Sequence, residues 1–171
     1  MTTDIRPLTT ADVEGFVRLR REALTDSPLA FSASPEDDVG LSSEFMRSSL
    51  GSGPGSAVFG AFAPQLVGVV GLYRDSKQKS AHKVHIWGMY VSPEYRDQGI
   101  GRRLLDAALD YSRQLEGVTL AQIGVSETAP AARALYESCG FRSWGKEPAA
   151  LLYARQSVSR YHMSLSFGDQ G

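Results

Sequence analysis

The chain has a single cysteine, Cys139, in 171 residues. One thiol excludes an internal disulfide and fits a reducing compartment, so a cytoplasmic protein is expected. The three histidines, His82, His85 and His162, show no zinc-ligand spacing, and no acidic run resembles a calcium or magnesium loop. No metal is expected. Charge of one sign is missing too: 18 Lys and Arg against 19 Asp and Glu leave a formal charge of −1. That gives no general attraction for nucleic acid or an anionic membrane, so any phosphate must be held locally. No apolar run approaches the roughly 20 residues of a membrane span. The first residues, Met1 to Gly15, lack the apolar core of a secretory leader. What is present is 42% hydrophobic and 22% charged, an ordinary globular balance in a chain long enough for one core. A single domain over 1–171 is expected, ordered from about residue 4 to about residue 167.

The most informative stretch runs from Lys83 to Leu115. Lys83 to Val91 is rich in β-branched and aromatic residues and stops at Ser92-Pro93, which predicts a strand. Its second half, Ile86, Trp87, Met89, Tyr90 and Val91, is apolar at nearly every position, as in a strand covered on both faces. Strict alternation places His85 with Trp87 and Met89. From Ile100 the apolar residues Leu104, Leu105, Ala108, Leu109 and Leu115 fall on one helical stripe. Between strand and helix lies Arg96-Asp97-Gln98-Gly99-Ile100-Gly101. Two glycines two apart let backbone N–H groups approach a ligand where the free amides of a helix start converge. Strand, glycine turn and helix start together predict an anion site, best suited to a phosphate ester.

The remaining elements follow in chain order. Ile5 to Leu8 predicts an edge strand, and Thr10 an N-cap for a helix through Leu24. Ser34-Pro35 followed by Glu36, Asp37 and Asp38 predicts a second helix that runs to about Leu50. Gly51 to Ser56 is a loop, and Ala57–Ala63 with Leu66–Tyr73 a hairpin in which Gly60, Gly68 and Gly71 mark bulges or close backbone contacts. Thr119–Val125 predicts a strand and Pro130–Ser138 a short helix stopped at Cys139-Gly140. Phe141–Lys146 and Ser159–Phe167 predict a last strand pair, with 147–157 irregular. The fold class is α/β with a mixed sheet and helices on both faces.

Two motifs lie in this framework: Val91 to Gly101, of the form V-x-P-x-x-R-x-x-G-x-G, and Ala132 to Phe141, ARALYESCGF. Together, one strand and two helices apart, they make the chain resemble the GNAT superfamily of acyl-CoA-dependent N-acyltransferases, best from Lys83 to Phe167. The resemblance implies a mostly antiparallel sheet splayed at its central strand. It implies that acetyl-CoA is the cosubstrate, its diphosphate held by Arg96, Asp97, Gln98, Gly99, Ile100, Gly101 and Arg102. The pantetheine arm would lie along Met89, Tyr90 and Val91. Tyr136 matches the family tyrosine that protonates the leaving thiolate, the alternative being an aromatic that packs on the coenzyme. His85 lies where relatives carry a basic glutamate and is either a general base or a structural histidine. A water relay helped by Glu36, Asp37 or Glu127 is the other route for the proton. The family's asparagine seven residues before the tyrosine is Ala129 here, and Thr128 is expected to cap the helix instead. Cys139, in a helix-stop turn, is expected to be a buried small residue and not a nucleophile. Phe31 lines the acceptor pocket or joins the core.

These features imply transfer of an acetyl group to a primary amine. A small molecule or amino acid is favoured over a protein, and neither nucleic acid nor membrane is a partner. The alternatives are a non-catalytic acyl-CoA-binding module and a protein or peptide N-acetyltransferase. The fold also admits a homodimer paired through its last strands.

Overall fold

The apolar runs between residues 56 and 91 form the middle of a seven-stranded sheet in the computed structural model, which describes residues 2–168. In chain order the elements are β1 (Asp4–Pro7), α1 (Val13–Asp26), α2 (Ser43–Ser49), β2 (Ser56–Phe62), β3 (Leu66–Arg74), β4 (Lys83–Val91), α3 (Ile100–Gln114), β5 (Leu120–Ser126), α4 (Pro130–Ser138), β6 (Arg142–Tyr153) and β7 (Gln156–Ser166). The spatial order is β1-β2-β3-β4-β5-β7-β6. Among the described strands β4 and β5 are the only hydrogen-bonded neighbours that pair in parallel, and they are joined by the crossover helix α3.

Two apolar clusters fill the two faces. On one, α3 buries Ile100, Leu104, Leu105, Ala108 and Leu109, the stripe its sequence predicts, against Val67, Leu72, Val84 and Ile86. Leu104 and Leu105 are fully buried, so truncating either to Ala costs about 3 kcal/mol. On the other, Val13, Phe16 and Leu19 of α1 and Met46 of α2 pack on Val58, Val69 and Tyr90. Gly71 belongs to this second packing: a Cβ there would lie 2.1 Å from Trp87 Cε2, so the Trp87 ring occupies the space a side chain would need. Close contact at Gly60 has the same origin, with Leu8 Cδ2 at 2.5 Å from a Cβ position.

Several local expectations change. Residues 35–41 do not form a continuous helix. Asp37 Oδ1 accepts from Ser34 N in a turn, and the helix begins only at Ser43, where Ser42 Oγ accepts from Phe45 N. Thr10 sits inside a short 3-10 turn, and α1 starts at Val13. Thr128 does not cap α4: its hydroxyl lies 2.9 Å from Ser126 Oγ and the cap position is Ala129. The largest difference is at 147–157, which is not irregular. β6 continues to Tyr153 and turns at Ala154-Arg155 into β7 at Gln156.

Candidate functional site

Past Ile86 and Ile123 the central strand pair comes apart. The β4–β5 ladder joins Lys83 with Leu120 through Ile86 with Ile123 and then ends, although β4 runs on to Val91 and β5 to Ser126. Just beyond, β4 carries a bulge: Gly71 pairs with Trp87 and Val69 with Tyr90, so Val70 alone opposes Gly88 and Met89. Gly88 takes φ +67, a left-handed value that glycine accepts without strain. One inserted residue exchanges the faces of all that follow. Val84 and Ile86 pack with α3, and Trp87 faces α1, but after the bulge Met89 and Val91 return to the α3 face while Tyr90 packs on the α1 side. Strict alternation would have left Met89 beside His85 and Trp87, and Gly88 overturns that reading. The strand thereby presents His85 and Trp87 to one side of the sheet and Met89 and Val91 to the other.

The opening holds a cleft of about 650 Å³ that passes through the sheet. Ile86, Ile123, Ala132 and Tyr136 line it from the α4 side, and Phe31, His85, Trp87, Gln122, Trp144, Arg160 and His162 from the other. Tyr136 is 4% exposed, its ring 6.1 Å from that of Phe141. Its hydroxyl has no hydrogen-bond partner among the described residues and lies on the cleft wall. Burial pushes the phenol pKa up, so it stays protonated through the neutral range.

The glycine turn follows the end of β4, beyond Met89, the last residue of that strand to line the cleft. Asp97 (φ +60) and Gly99 (φ +77) bend the chain into the start of α3, and open space surrounds the position of a Gly99 Cβ. Among the described residues the backbone N–H groups from Asp97 to Arg102 have no partner; the first bonded amide is Arg103 N, 3.1 Å from Gly99 O. The result is a run of convergent donors at the positive end of a 15-residue helix. Side chains in the turn are otherwise engaged. Arg96 donates to Val91 O (2.9 Å) and to Asp26 Oδ2 (2.8 Å), with its guanidinium over the Tyr90 ring. That bond holds the Asp26 carboxyl below the usual range against the opposing effect of burial. Gln98 Nε2 donates to Glu94 O, and Arg102 reaches Ser138 Oγ at 3.3 Å.

On the far side of the cleft His85 Nε2 lies 3.0 Å from Asp75 Oδ1, and its ring stacks on Tyr73 at 4.8 Å. Burial raises the Asp75 pKa, but the His85 hydrogen bond and the charges of His85 and Lys83 outweigh it, and the net shift is downward. Phe31 lines the cleft and lies 6.4 Å from the Tyr90 ring, with Arg20 over it. Glu36 and Asp37 are exposed and outside the cleft wall, and Glu127 is bound to Ser159 N and Lys146. Cys139 is half-buried, and burial pushes its thiol pKa up. Among the described residues no group of three or more His, Cys, Asp or Glu is placed to hold a metal, and no helix is long and apolar enough to cross a membrane.

Sequence reasoning missed a second histidine–carboxylate pair. His162 Nε2 lies 2.9 Å from Glu147 Oε2, with Trp144 at 5.4 Å from the imidazole, and Arg160 Nη2 donates to Ser32 Oγ at 2.6 Å. A signal was available: Tyr161, Met163 and Leu165 alternate with Arg160, His162 and Ser164, which gives β7 one polar face.

The fold and cleft define an acyltransferase scaffold. A sequence profile described as the acetyltransferase (GNAT) family matches residues 17–141, and the chain belongs to that family, whose members use acetyl-CoA as cosubstrate. It is similar to the N-alpha-acetyltransferase RimI of Mycobacterium tuberculosis, 35% identical over 105 residues. That match covers 61% of this chain and 61% of the relative, so less than two thirds of the relative's length is spanned. A GCN5-related N-acetyltransferase from Kribbella flavida is 26% identical with a TM-score of 0.82, over 96% of this chain and 98% of the other. A putative acetyltransferase from Salmonella typhimurium, solved with its cofactor acetyl-CoA, shares the fold at 19% identity and a TM-score of 0.84, over 100% and 97%.

Proposed function

We propose that the protein transfers the acetyl group of acetyl-CoA to a primary amine by direct attack in a ternary complex, the acceptor being a small molecule or amino acid. The observation that carries this reading is the cleft at the strand fork, lined by Tyr136 on one side and by an open polar wall on the other, with the unpaired amides of the glycine turn lying beyond the end of the same strand, β4. The amides of Asp97 to Arg102 hold the diphosphate. The strand edge of β4 from Trp87 to Val91, released from β5, offers its backbone groups to the pantetheine arm and to the thioester oxygen.

The chemistry divides between the two sides. An alkyl ammonium with a pKa near 10.4 is free base in only about one molecule in two thousand at pH 7, so a proton must leave before attack. We assign this step to His85, supported by its bond to Asp75: with Nε2–H donated to that carboxylate, the ring carries its lone pair on Nδ1. As the amine nitrogen bonds to the acyl carbon, the carbon–sulfur bond breaks and negative charge moves to sulfur. Tyr136 donates its O–H to that sulfur. A thiol has a pKa near 8.5, below that of a buried phenol, so full transfer from Tyr136 is uphill. Its contribution is a hydrogen bond that grows as charge develops, and the proton released by the amine restores the thiol.

Thiol release from acetyl-CoA, measured across an amine panel beside a calorimetric titration of acetyl-CoA, tests the reading. Tight coenzyme binding with turnover of at least one amine is expected. Tight binding without turnover of any amine would assign the chain to a non-catalytic acyl-CoA-binding role. A second reading, acetylation of a protein or peptide N-terminus, is favoured by the likeness to RimI. A cytoplasmic location, and a homodimer paired along the exposed outer strand β6 near Leu152 and Tyr153, belong to the same proposal. A molecular mass of one chain by sedimentation would remove the dimer.

A further inference from the structure

The acceptor side of the cleft has an unusual charge balance. Among the described residues no Asp or Glu lines the cleft, whereas Arg20 and Arg160 do. Arg20 is neutralised: its Nε lies 2.7 Å from Asp38 Oδ2, and both side chains are largely buried. Arg160 has no such partner, since among the described residues no carboxylate comes within salt-bridge distance of its guanidinium. Its recorded acceptor is the neutral Ser32 hydroxyl, 2.6 Å from Nη2, which occupies one of five donors. Glu147 faces Arg160 across the β6–β7 ladder, but its Oε2 is bonded to His162.

Arg160 is also aimed. It pairs in register with Ser126, at the open end of the fork where β5 has left β4. Its side chain lies across Gly124, where an added Cβ would stand 3.0 Å from Arg160 Cδ and 3.2 Å from Nε. The glycine leaves room for the guanidinium to lie flat on the strand, directed toward Ser32. The guanidinium stands at an exposed point of the cleft wall, where an incoming ligand can reach its free donors, and its planar fork matches a carboxylate bidentately.

We infer that Arg160 binds a carboxylate carried by the acceptor, which makes the substrate a free amino acid or similar zwitterionic amine. This deepens the acetyl-transfer reading and rests on it for the amine's fate. A peptide N-terminus presents a neutral amide where an amino acid presents its carboxylate, and the absence of acids on the wall disfavours di- and polyamines.

The test compares free α-amino acids (aliphatic, aromatic and acidic) with their α-amides. Each is titrated calorimetrically onto the protein saturated with CoA, and each is assayed for thiol release from acetyl-CoA. The wild-type protein is expected to bind its preferred acid about 10- to 100-fold more tightly than the matching amide. Arg160→Gln should weaken the acid alone and bring the ratio to within about 3-fold, while acetyl-CoA affinity is unchanged. Arg160→Lys should keep part of the preference, and Gly124→Val should lower it by crowding a retained arginine. Equal affinity for acids and amides, tighter binding of amides or peptides, or no binding of any acid would overturn the inference, as would an equal loss of both ligands in Arg160→Gln. Carboxylate-selective binding without thiol release would leave the Arg160 site standing and remove the acetyl-transfer reading instead.

Discussion

The two sides of the candidate site are built by different means. The side of β4, the glycine turn, α3 and α4 uses backbone: unpaired amides from Asp97 to Arg102, a released strand edge from Trp87 to Val91, and one buried tyrosine. The side of β6, β7 and residues 28–42 uses side chains brought from distant parts of the chain: Phe31, Ser32, Trp144, Arg160 and His162. Backbone recognition suits a ligand part that never changes, a diphosphate and its arm. Side-chain recognition can be altered one residue at a time, which suits an acceptor that differs between related proteins.

If that division holds, mutations on one side should leave the other intact. Gly99→Glu should have the largest effect. A side chain at φ +77 costs about 1 kcal/mol, leaving the protein folded, while a carboxylate among the turn amides should weaken acetyl-CoA binding at least about 100-fold by calorimetry. Retained affinity would show that the turn is not the diphosphate site. Asp38→Ala is the counterpart on the acceptor side. It leaves the Arg20 charge largely buried near Phe31 and Trp87, at a cost of about 3 kcal/mol, and the melting temperature should fall by about 8 °C. Acetyl-CoA affinity in the folded fraction should not move.

Gly71→Ala probes the border between the two regions. The added methyl collides with the Trp87 indole, so a loss of about 2 kcal/mol in denaturant unfolding is expected, with a shift in Trp fluorescence. The smallest effect should come from a site outside both. Asp12 is held at about 2, chiefly by its hydrogen bond from Arg6. A folded-state value below the unfolded one adds stability above roughly pH 4 that disappears as pH falls through about 2. With Arg6 41% exposed and screened, the contribution is about 1 kcal/mol. Asp12→Asn should flatten that part of the acid limb and leave both ligand affinities unchanged.

The same contrast explains what the sequence made legible. Strand, turn and helix from Lys83 to Gln114 are contiguous, and each carries a local signal: β-branched residues, paired glycines, a 3.6-residue stripe. The fork could be inferred only from family likeness, because the ladder's end at Ile86 and Ile123 is a pairing between strands 37 residues apart. The Gly88 bulge broke the period-two rule at one position and reversed the side of Met89. The last strand pair was legible, but its extension through residues 147–157 and its turn were not, for a physical reason. Its turn residues, Ala154 (φ +47) and Arg155 (φ +64), occupy left-handed backbone without the Asn or Gly that normally marks such a turn. Pro148, with Ala149 at φ +50, interrupts the register between Glu147 and Leu151. Arg160 meets Ser32 across 128 residues, a separation for which no local pattern exists.

The central claim is that the transfer takes place where Tyr136 meets the fork, with coenzyme binding carried by other atoms. Tyr136→Phe removes one oxygen that has no hydrogen-bond partner among the described residues, so folding should be preserved. Measured side by side, kcat for thiol release should fall about 10- to 100-fold while the acetyl-CoA dissociation constant stays within about 2-fold. An unchanged kcat, or an equal loss of both, would return Tyr136 to a packing role and contradict the account.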